Sequence, residues 1–399
     1  MHTIRAEGTV LSNSPGEGGA GMNRAMLQAD CYVEIDRSRT LKDEPGRGHN
    51  RWHPDIPPIA RVEPGAVIGI ETRDAFDLQI GAATTAEQVA RCNLNLIHPL
   101  TGPIYVNGAE PGDVLEVNIL DVRPEPHGFT VQVPGFGFLR DIFTEPHIVR
   151  WRIADGFATS ADLPGVRIPG APFMGVMGVA PSYELLARIK SREADCARRG
   201  GLVLAPDRTD AVPSQPQLAD QAIRTIAPHE NGGNLDIKQL TAGTTLRLPV
   251  YAPGALFSVG DAHFAQGDNE SCGTAIEIGA TFYASFSLIK GEASRRNLRD
   301  VQFYCNDYFA PPEVSVPRRF FATTGQCTHA EVTQAEDLTL AARNALLNMI
   351  DHLVMERGYT RQQAYAICSV AVDLRVSELV DVPNYIVSAL LPIDIFIRP

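Results

Sequence analysis

Between Val259 and Glu277 the chain carries Asp261, His263, Gln266, Asp268, Glu270, Cys272 and Glu277, its densest group of side chains able to hold a cation or move a proton. Asp261 and His263 are two apart, so on a strand both project from one face. A carboxylate and an imidazole converging on one point suit Zn2+, which takes oxygen and nitrogen donors at ~2.0–2.2 Å. Gly260, Gly267, Gly273 and Gly279 allow the backbone to turn sharply and to approach a bound group. The competing reading is a surface turn with solvated charges, and a bare Asp-x-His does not choose between them.

Three further segments carry candidates. PHENGGNLDIKQL, residues 228–240, brings Asn234 and Asp236 out of a Gly232-Gly233 turn; Asp236 and Lys238 share a face and could instead pair, and His229 reads as an ordinary loop histidine. His98 precedes Pro99, which favours extended backbone, just ahead of a Thr-Gly-Pro turn. His49, His53 and Asp55 crowd around Trp52, where packing and turn roles compete with chemistry. Other mechanisms lack their motifs: there is no GxSxG elbow, no phosphate-binding GxxxxGK[ST], and no serine- and glycine-rich Ser-Ser-Lys amidase signature. GFGFLR at 135–140 opens no helix-like sequence, so it is no dinucleotide loop. Cys272 lacks the lysine and glutamate motifs of a nitrilase-type nucleophile and reads as packing.

These residues need elements to position them, and the pattern is mostly β. CYVEIDRS reads as an edge strand. PGAVIGIETRD and PGDVLEVNILD each pair a proline-glycine turn with an alternating strand, proline presetting φ and glycine supplying positive φ. LRLPVYAPGALFSVG and GTAIEIGATFYASFSLIKG are the best later strands. Residues 123–180, rich in glycine, proline and aromatics, read as long ordered loops. PSYELLARIKSREADCARRGG predicts a helix capped by Ser182 and ended at Gly200-Gly201. LAPDRTDAVPSQPQLAD reads as a proline-rich linker. Residues 335–366 predict a helix pair joined at Gly358-Tyr359 with Thr360 capping the second, and NYIVSALLPIDIFI a final strand. Strands dominate and helices gather late, which favours an α+β fold: a β-rich sandwich or barrel-like core with a few helices, mainly C-terminal. A β-rich part over 1–180 and a second over 181–399, holding GDAHFAQGDNE and the helix pair, are expected to form one intertwined catalytic unit.

The 399 residues include 35 lysines and arginines against 47 aspartates and glutamates, for a net charge of −12. That balance argues against nucleic acid and anionic membrane as partners. The 34 glycines and 29 prolines exceed their usual combined share of ~12%, as suits a turn-rich fold. Seven widely spaced cysteines without a CxxC pair indicate neither a disulfide framework nor a zinc ribbon. MHTIRAEGTVLSNSPGEGG has no apolar core of signal-peptide length, and VSALLPIDIFI falls short of the ~20 residues of a membrane span, so a cytoplasmic protein is expected.

Taken in chain order, RWHPDIPP (51–58), VEPGAVIGIETRDA (62–75), HPLTGPIYVNGAEPGDVLEVNILD (98–121) and ENGGNLDIKQLTAGTTLRLPVYAPGALFSVGDAHFAQGDNE (230–270) resemble the acetamidase/formamidase family of amide hydrolases. RWHPDIPP and ENGGN lie closer to its formamidase branch. The family usually shows GDGE where this chain has Gly267-Asp268-Asn269-Glu270; asparagine tolerates positive φ best among non-glycines, so the turn is expected to survive with Asn269 in the glycine's place. Residues 123–180 and 190–228 do not match the formamidases, which leaves formamide itself open as the substrate.

The resemblance implies a β-rich α+β fold, a homo-oligomer, and hydrolysis of the C–N bond of a linear amide to acid and ammonia. In the leading reading Asp236, Asp261 and His263 hold a divalent ion, with Glu277 as a further ligand or a support behind them. Zinc is the first candidate, and calcium the second because oxygen donors outnumber nitrogen. Glu270 is the general base for water and then the acid for the departing nitrogen. His98 donates to the carbonyl oxygen or tetrahedral intermediate, and Asn234 and Gln266 bind the substrate. Two alternatives stay open: a catalytically inactive small-molecule binder on the same fold, and a metal-free amidase in which Glu270 and Asp268 share a proton. Phe136, Phe138, Phe143, Trp151 and Phe173 either line a larger substrate pocket or pack the core.

Overall fold

A computed structural model describes residues 27–306, 317–330 and 332–397. The N-terminal stretch 1–19 considered above lies outside them. Among the described residues the fold is mixed α and β, sheet-rich with few helices, and neither large sheet closes into a barrel.

The first sheet has six strands, ordered Cys31–Val33, Val67–Thr72, Ala280–Ile289, Val114–Pro124, Thr245–Pro249 and Gln302–Tyr304. Val114–Pro124 alternates apolar and polar residues, and it pairs antiparallel along the whole length of Ala280–Ile289. The two proline-glycine turns form as expected. Ala66 N bonds to Glu63 O at 3.2 Å and Asp113 N to Glu110 O at 3.1 Å, with Gly65 at φ 91° and Gly112 at φ 94°, the positive φ of a type II turn. CYVEIDRS supplies the short edge strand, here parallel to Val67–Thr72.

The second sheet, of eleven strands, is built around Phe257–His263, which is buried from end to end. One edge of that strand pairs with Phe173–Gly178, setting Phe173 opposite His263. Its other edge is shared: Leu100–Val106 pairs its first half, and Glu277–Ile278 its end, setting Glu277 opposite His263. Gly232–Asn234 adds outside Phe173–Gly178. Both large sheets interleave strands from before and after residue 180.

Residues 123–180 are not loops, as expected above, but hold the strands His127–Gln132, His147–Ala154, Phe157–Thr159, Arg167–Pro169 and Phe173–Gly178. The glycines and prolines punctuate short strands, and cross-strand pairing to buried partners supplies the order that local pattern lacks. The proline-rich segment is likewise no free linker. Asp207 O accepts from Arg51 and Asn95, Asp210 accepts from Asn93 at 2.7 Å, and Val212 N donates to Asn50.

The helices follow their local signals. Ser182 Oγ accepts from Leu185 N to start Tyr183–Arg198. Leu338–Arg357 stops at Gly358, φ 71°, and Thr360 with Gln363 forms a capping box for Arg361–Ala371. The first of this pair packs on a three-stranded sheet, Phe320–Gly325, Ile386–Pro392 and Asp373–Glu378. The second is almost wholly buried and braces the 267–274 loop: Gly267 N donates to Ser369 O, and Ser369 Oγ accepts from Cys272 N while donating to Thr274 O. No helix of the described residues is long and apolar enough to cross a membrane.

Candidate active site

The strand register delivers the cluster. His263 Nε2 lies 3.4 Å from Asp261 Oδ1, 3.2 Å from Glu277 Oε2 and 3.7 Å from Glu270 Oε1. Asp236 joins Asp261 and His263, each offering one donor atom within 4.8 Å of the others. His98 Nε2 approaches Asp261 Oδ2 at 3.9 Å. His263 Nε2, Asp236 Oδ1, Glu277 Oε2 and Asn234 Oδ1 are closed off from solvent without a hydrogen-bond partner, where buried polar atoms are normally paired.

Backbone conformation places three of the carboxylates. Asp236, Asp261 and Glu270 have φ of 47°, 56° and 46°. Left-handed backbone is uncommon for these residues, and such strain concentrates at functional sites. In the Gly267-Asp268-Asn269-Glu270 turn, positive φ falls on Glu270, not on Asn269 as expected. Asn269 is held by its side chain instead: Oδ1 accepts from Ser271 N at 2.7 Å, and Nδ2 donates to Cys368 O and Val372 O.

A cavity of about 320 Å3 opens on this cluster. Asp261, Glu270, Glu277, His98 and Asn234, with Arg140, Asn269 and Thr274, lie on its polar side, and Phe76, Ile97, Phe136, Phe138 and Leu202 on its apolar one. His98 and Asn234 thus face the same space as Glu270, though they come from distant segments. Gln266 does not line the cavity. Its Oε1 accepts from His263 Nδ1 at 2.9 Å and its Nε2 donates to Asp236 O at 2.8 Å. That pairing leaves Nε2 as the imidazole nitrogen facing the carboxylates, and Gln266 orients His263 from behind. Phe173 supports the same ring edge-on, centroids 5.1 Å apart.

The remaining candidates fall elsewhere. Asp268 turns away from the cluster: its carboxylate accepts from Gln239 Nε2 at 3.2 Å and lies 3.8 Å from Lys238 Nζ. Lys238 pairs with Asp373 rather than Asp236. Cys272 Sγ packs against Val131 O and Thr274 O. His49 packs on Trp52 and bonds Ser258 Oγ, and His229 lies 3.2 Å from Glu193. Of the five aromatics, Phe136 and Phe138 reach the cavity, whereas Phe143, Trp151 and Phe173 are buried in the core.

Charge crowding dominates the electrostatics. Desolvation and the adjacent Asp261 raise Asp236 to about 8. Desolvation and Asp236 push Glu270 well above the ordinary carboxylate range, and desolvation, partly offset by His263, lifts Glu277 to about 7. Desolvation also opposes the charge on Asp261, but His98 and His263 outweigh it and hold that carboxyl low. For His263, desolvation is overcome by Glu277 and Asp261, which raise the imidazole well above its usual value. Desolvation lowers His98 against the pull of Asp261.

One site residue was missed in the sequence. A Cβ at Gly175 would sit 2.6 Å from Asp236 Oδ1, 2.6 Å from Asp261 Oδ2 and 2.9 Å from His263 Cε1. The floor of the cluster is therefore bare backbone. The available signal was a glycine inside an otherwise apolar strand, Phe-Met-Gly-Val-Met-Gly, which often marks a close approach.

Comparison with known proteins agrees with this architecture. The Acetamidase/Formamidase family profile matches residues 34–398. An acetamidase of Mycolicibacterium smegmatis is 38% identical over 85% of this chain and 89% of its own length. A formamidase of Methylophilus methylotrophus is 34% identical, covering 92% and 94%. The solved structure of a gamma lactamase from Delftia acidovorans superposes with a TM-score of 0.86 at 33% identity, over 92% of this chain and 95% of that one. Since these matches run through the strands, turns and helices that assemble the cluster, the chain belongs to the acetamidase/formamidase family.

Proposed function

We propose that the chain hydrolyses the C–N bond of an amide to a carboxylic acid and ammonia, with a divalent cation, zinc before calcium, held by Asp236, Asp261, His263 and Glu277. The observation that carries this is that Asp236, Asp261 and His263 form one group of donors and His263, Glu270 and Glu277 a second, sharing the imidazole beside a cavity that Asp261, Glu270 and Glu277 line, with donor atoms left unpartnered. The donors suit the ion. Ligands held tetrahedrally at ~2.0–2.2 Å lie roughly 3.3–3.6 Å apart, close to the 3.2–3.4 Å separating His263 Nε2 from Glu277 and Asp261. Four carboxylates around one imidazole also leave uncompensated negative charge, which a buried site tolerates only with protons or a cation.

A bound ion would supply Lewis acidity toward the amide carbonyl and the attacking water. Gln266 fixes the orientation of His263, so that Nε2 points at the carboxylates. Glu270, on the cavity wall, takes the proton from the attacking water and delivers it to the departing nitrogen. His98 and Asn234, facing the same space, donate to the oxygen on which charge develops. Relatives named acetamidase and formamidase support amide hydrolysis. The test is ammonia release across formamide, acetamide and longer amides, before and after chelation and with zinc or calcium restored. Release lost on chelation and restored by one ion supports the reading. Amide binding without ammonia would mark a binding protein instead, and release indifferent to chelator would remove the cation.

A further inference from the structure

A second cavity of about 400 Å3 adjoins the first, and Phe136 and Leu202 line both. Its wall comes from the helix Tyr183–Arg198 and residues 202–229, including Val203, Ile226 and Ala227. Of the polar side chains on its wall, Arg192 makes two 2.7 Å bonds to Glu230, His229 lies 3.2 Å from Glu193, and Arg224 donates to the carbonyl oxygens of Leu94 and Leu204 while its Nε stays without a partner. What remains to meet a ligand is largely hydrocarbon. Leu202, at the junction, is 57% exposed, an apolar side chain left without cover at the mouth of the reactive cavity.

We infer that this second cavity is an acyl-chain subsite, and that the substrate is a primary amide with an extended apolar acyl group. The inference rests on the amidase reading and deepens it. In R–CO–NH2 plus water giving R–COOH plus NH3, only R can be long, because the nitrogen leaves as ammonia. With the carbonyl at Glu270 and Asp261, R passes Phe136 and Leu202 and lies along Val203 and Ile226. Cavities of ~300–1,000 Å3 are those that enclose whole organic ligands, whereas formamide and acetamide would leave the second chamber unused.

The test is kcat/KM for ammonia release from acetamide, butyramide, hexanamide and octanamide. Transfer of each methylene from water to hydrocarbon is worth about fourfold, so hexanamide should exceed acetamide by roughly 10²-fold. The Val203→Trp variant, which fills the chamber, should flatten that rise, and Ala227→Phe gives the same reading should the first misfold. A flat or falling series in the parent protein overturns the subsite. A rise that survives both variants overturns its location. Ammonia from no member of the series, with the protein folded, overturns the amidase reading itself, which separates the two failures.

Discussion

Replacing Gly175 by alanine is expected to damage the site while leaving the fold standing. The strand Phe173–Gly178 is buried on both faces and paired on both edges, and Gly175 O accepts from Leu235 N at 2.8 Å and Asp236 N at 3.2 Å, so the backbone has no room to retreat. The new methyl would lie 2.6 Å from one oxygen of Asp236 and one of Asp261. Favourable carbon contacts begin near ~3.5 Å, so both carboxylates must move by about 0.9 Å. A misplacement of ~1 Å costs on the order of 10²-fold in rate, and overpacking a core costs about 1–3 kcal/mol. Gly175→Ala should therefore lose about 10² in kcat and bind its cation more weakly, yet unfold cooperatively at somewhat lower denaturant. Gly46→Ala, with nothing within 4 Å of its Cβ, is the control. The assays are ammonia release, chelator competition for the ion, and denaturant unfolding. Turnover and ion affinity within twofold of the parent would refute the view that bare backbone is required under the cluster.

Three further outcomes can be checked. Glu270→Gln keeps the size of the side chain but cannot accept the proton, so turnover should fall about 10²–10⁴-fold with ion content and stability near the parent; near-normal turnover would remove Glu270 as the base. His263→Ala should abolish both bound ion and turnover while circular dichroism stays native; full ion content by elemental analysis would break the proposed ligand set. His49 is buried, and burial lowers its imidazole from 6.5 to about 4. A depressed folded value gives stability that is present above about 6.5 and lost as pH falls through about 4. His49→Gln should remove about 3 kcal/mol of the stability lost between pH 7 and pH 4, measured by denaturant titration at each pH; an unchanged pH dependence would show that other groups drive the acid loss.

What was legible in the sequence was what local chemistry decides. Ser182 and Thr360 start their helices because a hydroxyl bonding the third amide needs only neighbouring residues. Glu63-Pro64-Gly65-Ala66 and Glu110-Pro111-Gly112-Asp113 turn as read because proline and glycine carry the required φ themselves. Asp261 and His263 could be paired by their spacing. The strands within 123–180 were not legible, since their order comes from partners distant in sequence. Nor was the division between the aromatics, of which two face the cavity and three the core.

The cluster itself shows why the rest of the site resists reading. Left-handed backbone at Asp236, Asp261 and Glu270 runs against the local preference of each residue, and each such conformation costs of order 1–3 kcal/mol. Only surrounding structure can impose it. Asp236 is pinned by the backbone of Gly175 and by Gln266, and Glu270 by a turn tied through Asn269 and Gly267 to the helix Arg361–Ala371 and the residue after it. Sequence composition announces the reactive groups because carboxylates and histidine are conspicuous in a glycine-rich strand. The residues that aim them are glycine, glutamine, asparagine and a buried serine, ordinary types whose roles exist only once the sheet has paired. The chemistry was thus visible as a density of donors, whereas its geometry belongs to contacts between segments far apart in the chain.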